Sequence, residues 1–246
     1  MRNKSLFRPV LLWLFGALAS LSPLVFAKAV SPQEQVQVQA SRATSSLMLL
    51  RGEGFQKKHL NALETDLQML AAAVQSLPQG SAALRNAHQE LVLQIRRGVA
   101  FGPQEENMPW RYPEELSKAL LGLLHEARQL SSEGDSELAA KLEFLSVQYL
   151  SRSYLGNFEI AREQTDTYLG QDERKLVPSV DGELSALEAK AVAGVSKLKV
   201  RWEYLKAALN DLNSQSSALQ SASGRAFAPM TVYRHTRSLT EQWMAM

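Results

Sequence analysis

Apolar residues recur at alternating intervals of three and four along almost the whole chain, which is the spacing of one face of an α-helix. Alternation at the two-residue period of a strand is confined to Val36-Gln37-Val38. The chain contains no cysteine, so disulfides and thiolate metal sites are excluded and packing must stabilise the fold. We therefore predict an all-α protein, an elongated antiparallel bundle of about seven to eight helices.

Glycine and proline divide this pattern into separate helices. The first two repeats end at Arg51-Gly52-Glu53-Gly54 and at Pro78-Gln79-Gly80, and Ser81 is a suitable N-cap for the third. Apolar residues from Leu138 to Leu150 form a wide stripe, which predicts a helix buried on more than one side. The clearest single seams are Leu60, Leu63, Leu67, Leu70, Val74 and Leu77, then Leu84, Leu91, Ile95 and Val99, then Leu116, Leu120, Leu123, Ala127 and Leu130.

The longest pattern without an internal proline begins after Pro178 and runs from about Glu183 to about Leu219. It predicts one helix near 183–219, which at 1.5 Å per residue is roughly 55 Å long. The steps between Val195 and Trp202 depart from a strict heptad, as a stutter does. A helix of this length favours a rod-like domain over 28–246, with possible sub-bundles at 33–101 and 113–246.

The N-terminus has the order of a signal peptide. Arg2, Lys4 and Arg8 precede an uncharged apolar run from Val10 to Phe26, and Val25-Phe26-Ala27 is an acceptable cleavage site. We predict that residues 1–27 are a signal peptide. An uncleaved anchor is the alternative, because the run approaches the roughly 18 residues of a spanning helix.

The charge balance changes once this leader is removed. Cleavage takes away three positive charges and no negative ones, so 27 basic and 25 acidic residues become 24 and 25. A nearly neutral chain lacks the clustered cations that neutralise phosphates, so we expect no nucleic-acid partner. The leader and the lack of cysteine favour a periplasmic location, with secretion or an anchored N-terminal segment as alternatives. We expect no membrane span after signal cleavage.

One turn resembles that of a tetratricopeptide repeat. Gly156 is followed by Phe158 two residues later and Ala161 five residues later, after Tyr154-Leu155. The resemblance covers this turn alone. The other Gly-to-Ala pair, Gly134 and Ala139, lies 22 residues away, whereas that family repeats at about 34. Ordinary helix–turn–helix packing is therefore favoured over a repeat array.

Motifs for catalysis, metals and cofactors are weak. The histidines His59, His88, His125 and His235 lie on four predicted helices, with no i, i+4 pair to form a metal face. The chain has no Gly-x-Ser-x-Gly elbow and no phosphate-binding glycine loop. We predict a non-enzymatic protein with no cofactor. A cryptic metal or haem bundle assembled from separate helices is a lesser alternative.

Large aromatic residues beside helix breaks are the candidates for binding. Pro109 and Pro113 enclose Trp110 and Tyr112 in a stiff corner, because each proline ring fixes φ and restricts the residue before it. We expect Trp110, Tyr112 and Trp202 to form a ligand or partner surface, with Trp110 and Trp202 bounding a groove. Core filling is the alternative.

These features lead to one principal hypothesis and one from another class. The first is an exported helical bundle that binds a cell-envelope protein or a small ligand. Its architecture is similar to the helical-bundle sensor ectodomains of bacterial receptors. The second is a structural or chaperone-like adaptor, in which the long apolar helix completes a partner's bundle.

Overall fold

A computed structural model describes residues 30–78, 80–132, 134–156, 167–189, 192, 194–210 and 229–246. Over these residues the chain forms eight α-helices and two short 3₁₀ helices, and no strand. The all-α prediction is confirmed. The α-helices are α1 (Pro32–Gly52), α2 (Lys57–Gln75), α3 (Ala82–Ala100), α4 (Tyr112–Gln129), α5 (Leu138–Tyr154), α6 (Glu173–Ala189), α7 (Val195–Asn210) and α8 (Pro229–Met244). The predicted leader, residues 1–27, lies outside the described residues.

Helix α1 is the centre of the bundle. The Ser31 hydroxyl accepts a hydrogen bond from the Glu34 N–H at 3.1 Å, and Pro32 lies in the first turn, where its missing N–H costs no helical bond. Every residue from Val36 to Leu50 is buried, because α1 packs against α2, α3, α4 and α5. The helix therefore contacts elements on both sides of the suggested sub-bundle boundary, and their buried apolar residues form one cluster.

Helices α2, α3 and α4 each bury one apolar seam. The predicted seam residues of these helices are buried, except that Leu60, Val99 and Leu130, near the helix ends, are half-buried. The Ser81 hydroxyl caps α3 by accepting a hydrogen bond from the Leu84 N–H at 2.9 Å, as predicted. The spacing of apolar residues was sufficient to predict these buried faces, because the opposite faces of the three helices are exposed to water.

Helix α5 is the second buried helix. All of its residues from Leu138 to Ser151 are buried except Lys141, which is half-buried. It packs against α1, α6 and α8, so the expectation that it is buried on more than one side is confirmed.

The prediction of one helix near 183–219 is wrong. Helix α6 ends at Ala189 and α7 begins at Val195, and Gly194 between them has a φ of +84°, a conformation that ends an α-helix. Pro178 lies inside α6 and does not interrupt it. The apolar stripe continued across the break because α6 and α7 pack on each other, and spacing alone does not report helix continuity. Residues 211–219 lie outside the described residues.

Candidate functional site

The chain between α3 and α4 is a compact corner with a largely exposed surface. Gly102 begins it with a φ of +70°, and a 3₁₀ helix follows at Glu105–Asn107. The Met108 N–H donates to the Glu105 carbonyl at 3.0 Å, and the Tyr112 N–H donates to the Pro109 carbonyl at 2.9 Å. Residues 103–107 and 109–111 are all exposed. We call residues 101–114 the Trp110 corner.

Tyr112 attaches the end of this corner to the core. Its ring is fully buried, and its hydroxyl donates to the Gln94 carbonyl of α3 at 2.8 Å. Burial raises the pKa of the Tyr112 hydroxyl, so it stays protonated as a donor. The ring also meets Phe101 edge to face, with 5.0 Å between ring centroids. Tyr112 is thus an anchor of the core, and the expectation that it forms part of a binding surface is wrong.

Arg51 attaches the beginning of the corner to α1. Its Nη1 donates to the Gly98 carbonyl at 2.7 Å and to the Gly102 carbonyl at 3.0 Å. The first of these bonds satisfies a carbonyl that the C-terminus of α3 leaves without a helical partner, and the second holds the residue that begins the corner. The corner is therefore fixed at both ends.

Trp110 points away from these anchors into solvent. It is 84% exposed, the largest value among the exposed large apolar side chains of the described residues. The Arg111 guanidinium lies over its ring, 5.4 Å from the centroid. A large exposed ring on a fixed backbone is a common anchor in protein recognition.

Trp202 has the opposite environment. It is fully buried in α7, and its Nε1 donates to an Asp181 carboxylate oxygen of α6 at 3.0 Å. Hydrogen bonds from Lys206 and Trp202 lower the pKa of Asp181, which keeps this acceptor ionised. A fully buried ring cannot line an open groove, so the expected pairing of Trp110 with Trp202 is wrong. Of the three predicted site residues, Trp110 alone remains a surface candidate.

The charges of the corner are mainly negative. Glu105, Glu106 and Glu114 are exposed, and Glu115 pairs with Arg97 of α3 at 2.9 Å. Glu114 and Glu115 lie in the first turn of α4, where carboxylates stabilise the helix through its dipole.

The histidines are not brought together. His125 bonds Gln129 at 2.7 Å on α4, while His235 of α8 packs on Tyr204 with 4.5 Å between ring centroids. Burial lowers the pKa of His59 and of His88, which favours their neutral forms. Within the described ranges no group of three or more His, Cys, Asp or Glu side chains could hold a metal ion.

A buried polar network was not predicted from the sequence. Arg42 of α1 donates through Nε to Glu143 of α5 at 2.7 Å and through Nη2 to the Thr240 hydroxyl of α8 at 2.7 Å. Thr240 in turn donates to the same Glu143 oxygen at 2.5 Å. All three side chains are buried, so these charge-assisted bonds act without screening by water. The available signal was an arginine among small residues within an apolar seam.

A second polar cluster lies next to it. Arg237 of α8 binds both carboxylate oxygens of Asp66 in α2, each at 2.8 Å. Ser46 of α1 donates to Asp66 at 2.5 Å, and the Tyr233 hydroxyl bonds both Ser46, at 2.9 Å, and Arg237. The two clusters connect the C-terminal helix to α1, α2 and α5.

Glu34 joins the first turn of α1 to the first turn of α5. Its carboxylate accepts hydrogen bonds from the N–H groups of Ala139, at 2.9 Å, and Ala140, at 3.4 Å. Burial raises its pKa from 4.5 to about 7, although these backbone bonds oppose the shift, and the nearby Glu137 and Glu183 add to it. Glu34 thus caps a helix other than its own.

The fold and the surface together define an all-α bundle with an anchored, exposed-aromatic corner. Comparison with protein-family models, with curated proteins and with solved structures found no match to this chain. None of the described helices is both long and apolar enough to cross a membrane.

Proposed function

We propose that this chain is an exported, non-enzymatic helical-bundle protein that binds a cell-envelope protein through the Trp110 corner. The observation that carries the proposal is the 84% exposure of Trp110 on a segment fixed at both ends. Such a ring buries a large apolar area on binding while losing few rotamers, and the anchored backbone loses little further entropy.

A protein partner is favoured over a small ligand at this site. Small-molecule sites enclose most of the ligand surface in a concave pocket, whereas Trp110 is largely uncovered. The proposal of export rests on the basic start and apolar run of residues 1–27, and cleavage would leave Lys28 at or near the N-terminus. The adaptor hypothesis has lost its main support, because α6 and α7 are separate helices whose apolar residues pack within this chain.

The test compares a substitution of Trp110 with wild type and with a control substitution. Tagged wild type, Trp110→Ala and Leu93→Ala proteins are used to capture partners from cell-envelope extract, with quantitative mass spectrometry as the readout. Leu93 of α3 is 53% exposed, so its substitution controls for the loss of an ordinary exposed apolar side chain. We expect Trp110→Ala to lose a protein that wild type and Leu93→Ala both retain.

Melting temperature separates binding from folding. The free energy of unfolding of Trp110→Ala should lie within about 0.5 kcal/mol of the wild-type value, because surface substitutions seldom change it by more. Trp202→Ala should cost about 3–5 kcal/mol, as for other buried rings. A large fall in the stability of Trp110→Ala without selective loss of a partner would contradict the proposal.

A further inference from the structure

We infer that the Trp110 corner binds a basic segment of its partner, rich in arginine or lysine. This inference rests on the proposed function, and it adds the chemistry of the partner. It follows from the charges around Trp110 and from the contact that its indole already makes.

The corner carries an excess of negative charge beside its exposed ring. With Glu115 paired to Arg97, three exposed carboxylates, at Glu105, Glu106 and Glu114, face solvent against the guanidinium of Arg111. Arg51, which holds the beginning of the corner and interacts with Glu105, is a second cation, so the three carboxylates exceed the two guanidiniums by one negative charge. A cationic segment complements this potential, whereas an acidic one would be repelled.

The indole of Trp110 is suited to the same partner. Arg111 shows that a guanidinium can stack on this ring, with 5.4 Å between its central carbon and the centroid. Because the ring is 84% exposed, its remaining surface can accept a second cation or the aliphatic stem of an arginine or lysine. The aromatic and the carboxylates therefore select one kind of side chain through two different interactions.

An anionic membrane surface fits the corner less well. Such a surface attracts clusters of lysine and arginine, and it would repel the exposed carboxylates that flank Trp110 in the sequence. The exposed charged residues of α7 and α8 are more evenly balanced, with three basic and two acidic side chains, and Val200 of α7 is 74% exposed.

Intrinsic fluorescence can report binding at this corner. Residues 28–246 contain three tryptophans, of which Trp202 is fully buried and Trp243 is 6% exposed, so Trp110 dominates any change that occurs at the surface. The 28–246 protein is titrated with a nine-residue arginine peptide at low and high salt, and with a nine-residue glutamate peptide. We expect saturable change with the arginine peptide alone, weakened by salt.

A matched pair of charge-reversal variants tests the location. Glu105→Lys with Glu106→Lys removes the acidic surface of the corner, and Glu90→Lys with Glu203→Lys makes the same change in net charge at exposed positions of α3 and α7. The corner variant should bind the arginine peptide about tenfold more weakly than wild type, since several exposed charge pairs of under about 1 kcal/mol each are lost. The control variant should bind within about twofold of wild type.

Three outcomes would overturn the inference: equal weakening in both charge-reversal variants, no preference for the arginine peptide, or a fluorescence change with phosphatidylglycerol vesicles instead. Envelope capture then separates this inference from the proposed function. If Trp110→Ala loses a partner that the Glu105→Lys and Glu106→Lys variant retains at wild-type level, the corner is a binding site and the inference of a basic partner is wrong. If neither variant loses a partner, the proposed function fails as well.

Discussion

Helices α1 and α7 are both rich in polar residues, yet only α1 is buried on all sides. From Val36 to Leu50 every residue of α1 is buried, including Gln37, Arg42 and Ser46. In α7 the apolar seam is buried, while residues off the seam, among them Val200 at 74%, are exposed. Helix α1 packs against four other helices, whereas α7 packs mainly against α6 and α8.

The comparison shows that a polar residue in a helix can be exposed or buried, depending on how many helices surround it. In α7 polar residues lie at the surface, where water can solvate them. In α1 they are buried, and a buried polar group that has no partner costs about 1–3 kcal/mol. Arg42 and Ser46 find theirs on α2, α5 and α8, so the buried network makes the position of these helices specific.

The largest expected effect is that of removing a buried charge from α1. Arg42→Ala leaves the fully buried Glu143 without its cation, and we expect a loss of about 3–5 kcal/mol in the free energy of unfolding. Chemical denaturation measures it. Lys197→Ala, at an exposed position of α7, is the matched control and should change stability by less than about 0.5 kcal/mol.

A double variant distinguishes an unpaired charge from lost packing. Arg42→Met combined with Glu143→Leu removes both charges, so it should recover much of the stability that Arg42→Ala loses. Similar small losses in Arg42→Ala and Lys197→Ala would mean that α1 and α7 do not differ in the way that burial indicates.

The next effect is pH dependence at the start of α1. Because the pKa of Glu34 is raised in the folded protein to about 7, the folded state holds a proton that the unfolded state has already released between pH 4.5 and 7. The stabilisation is therefore complete below pH 4.5 and is lost as the pH rises to about 7. At about 1.4 kcal/mol per pKa unit, the loss is about 3 kcal/mol.

Glu34→Gln should remove this dependence, because glutamine does not titrate. Denaturant unfolding at a series of pH values, compared with wild type, isolates the contribution of Glu34. Glu203→Gln, on the exposed face of α7, should leave the wild-type profile unchanged. An unchanged profile for Glu34→Gln would show that this carboxyl titrates normally in the folded protein.

Close helix contact predicts an intermediate effect at Gly98. A Cβ there would overlap the Tyr112 hydroxyl and lie 2.9 Å from Leu47 Cδ2 of α1, so Gly98→Ala should cost about 1–3 kcal/mol. At Gly122 of α4 nothing lies within 4 Å, and Gly122→Ala should stabilise by up to about 1 kcal/mol through helix propensity. Thermal unfolding of the two variants gives the sign of each change in stability. Changes of the same sign would contradict the close packing of α3 on α1.

The smallest expected effect is on α7. Val200→Ala removes an exposed β-branched side chain, and we expect a change within about 0.5 kcal/mol, on the stabilising side because alanine is the better helix former. A loss of more than about 1 kcal/mol would mean that Val200 is covered, and α7 would then resemble α1.

The fold could be predicted where helices have one buried and one solvent-exposed face. The seams of α2, α3 and α4 and the cap at Ser81 followed from spacing and residue type. The polar residues of α1 could not be placed, because their burial depends on how many helices surround α1. The break at Gly194 was missed because two packed helices share the apolar spacing of one.

The candidate site was predicted in part. Two prolines around Trp110 and Tyr112 indicated a stiff corner, and the structure shows an anchored one. Sequence did not reveal which aromatic faces outward, because the choice depends on tertiary contacts: Tyr112 reaches the Gln94 carbonyl, and Trp202 reaches Asp181.

Photo-crosslinking in living cells tests most directly whether Trp110 contacts a partner. p-Benzoylphenylalanine is placed at position 110 or, as a control, at position 93 of the full-length protein, and adducts are identified by mass spectrometry after irradiation. We predict an adduct with a cell-envelope protein from position 110 that position 93 does not give. The same adducts from both positions, or none from position 110, would contradict the proposal that the Trp110 corner is the binding site.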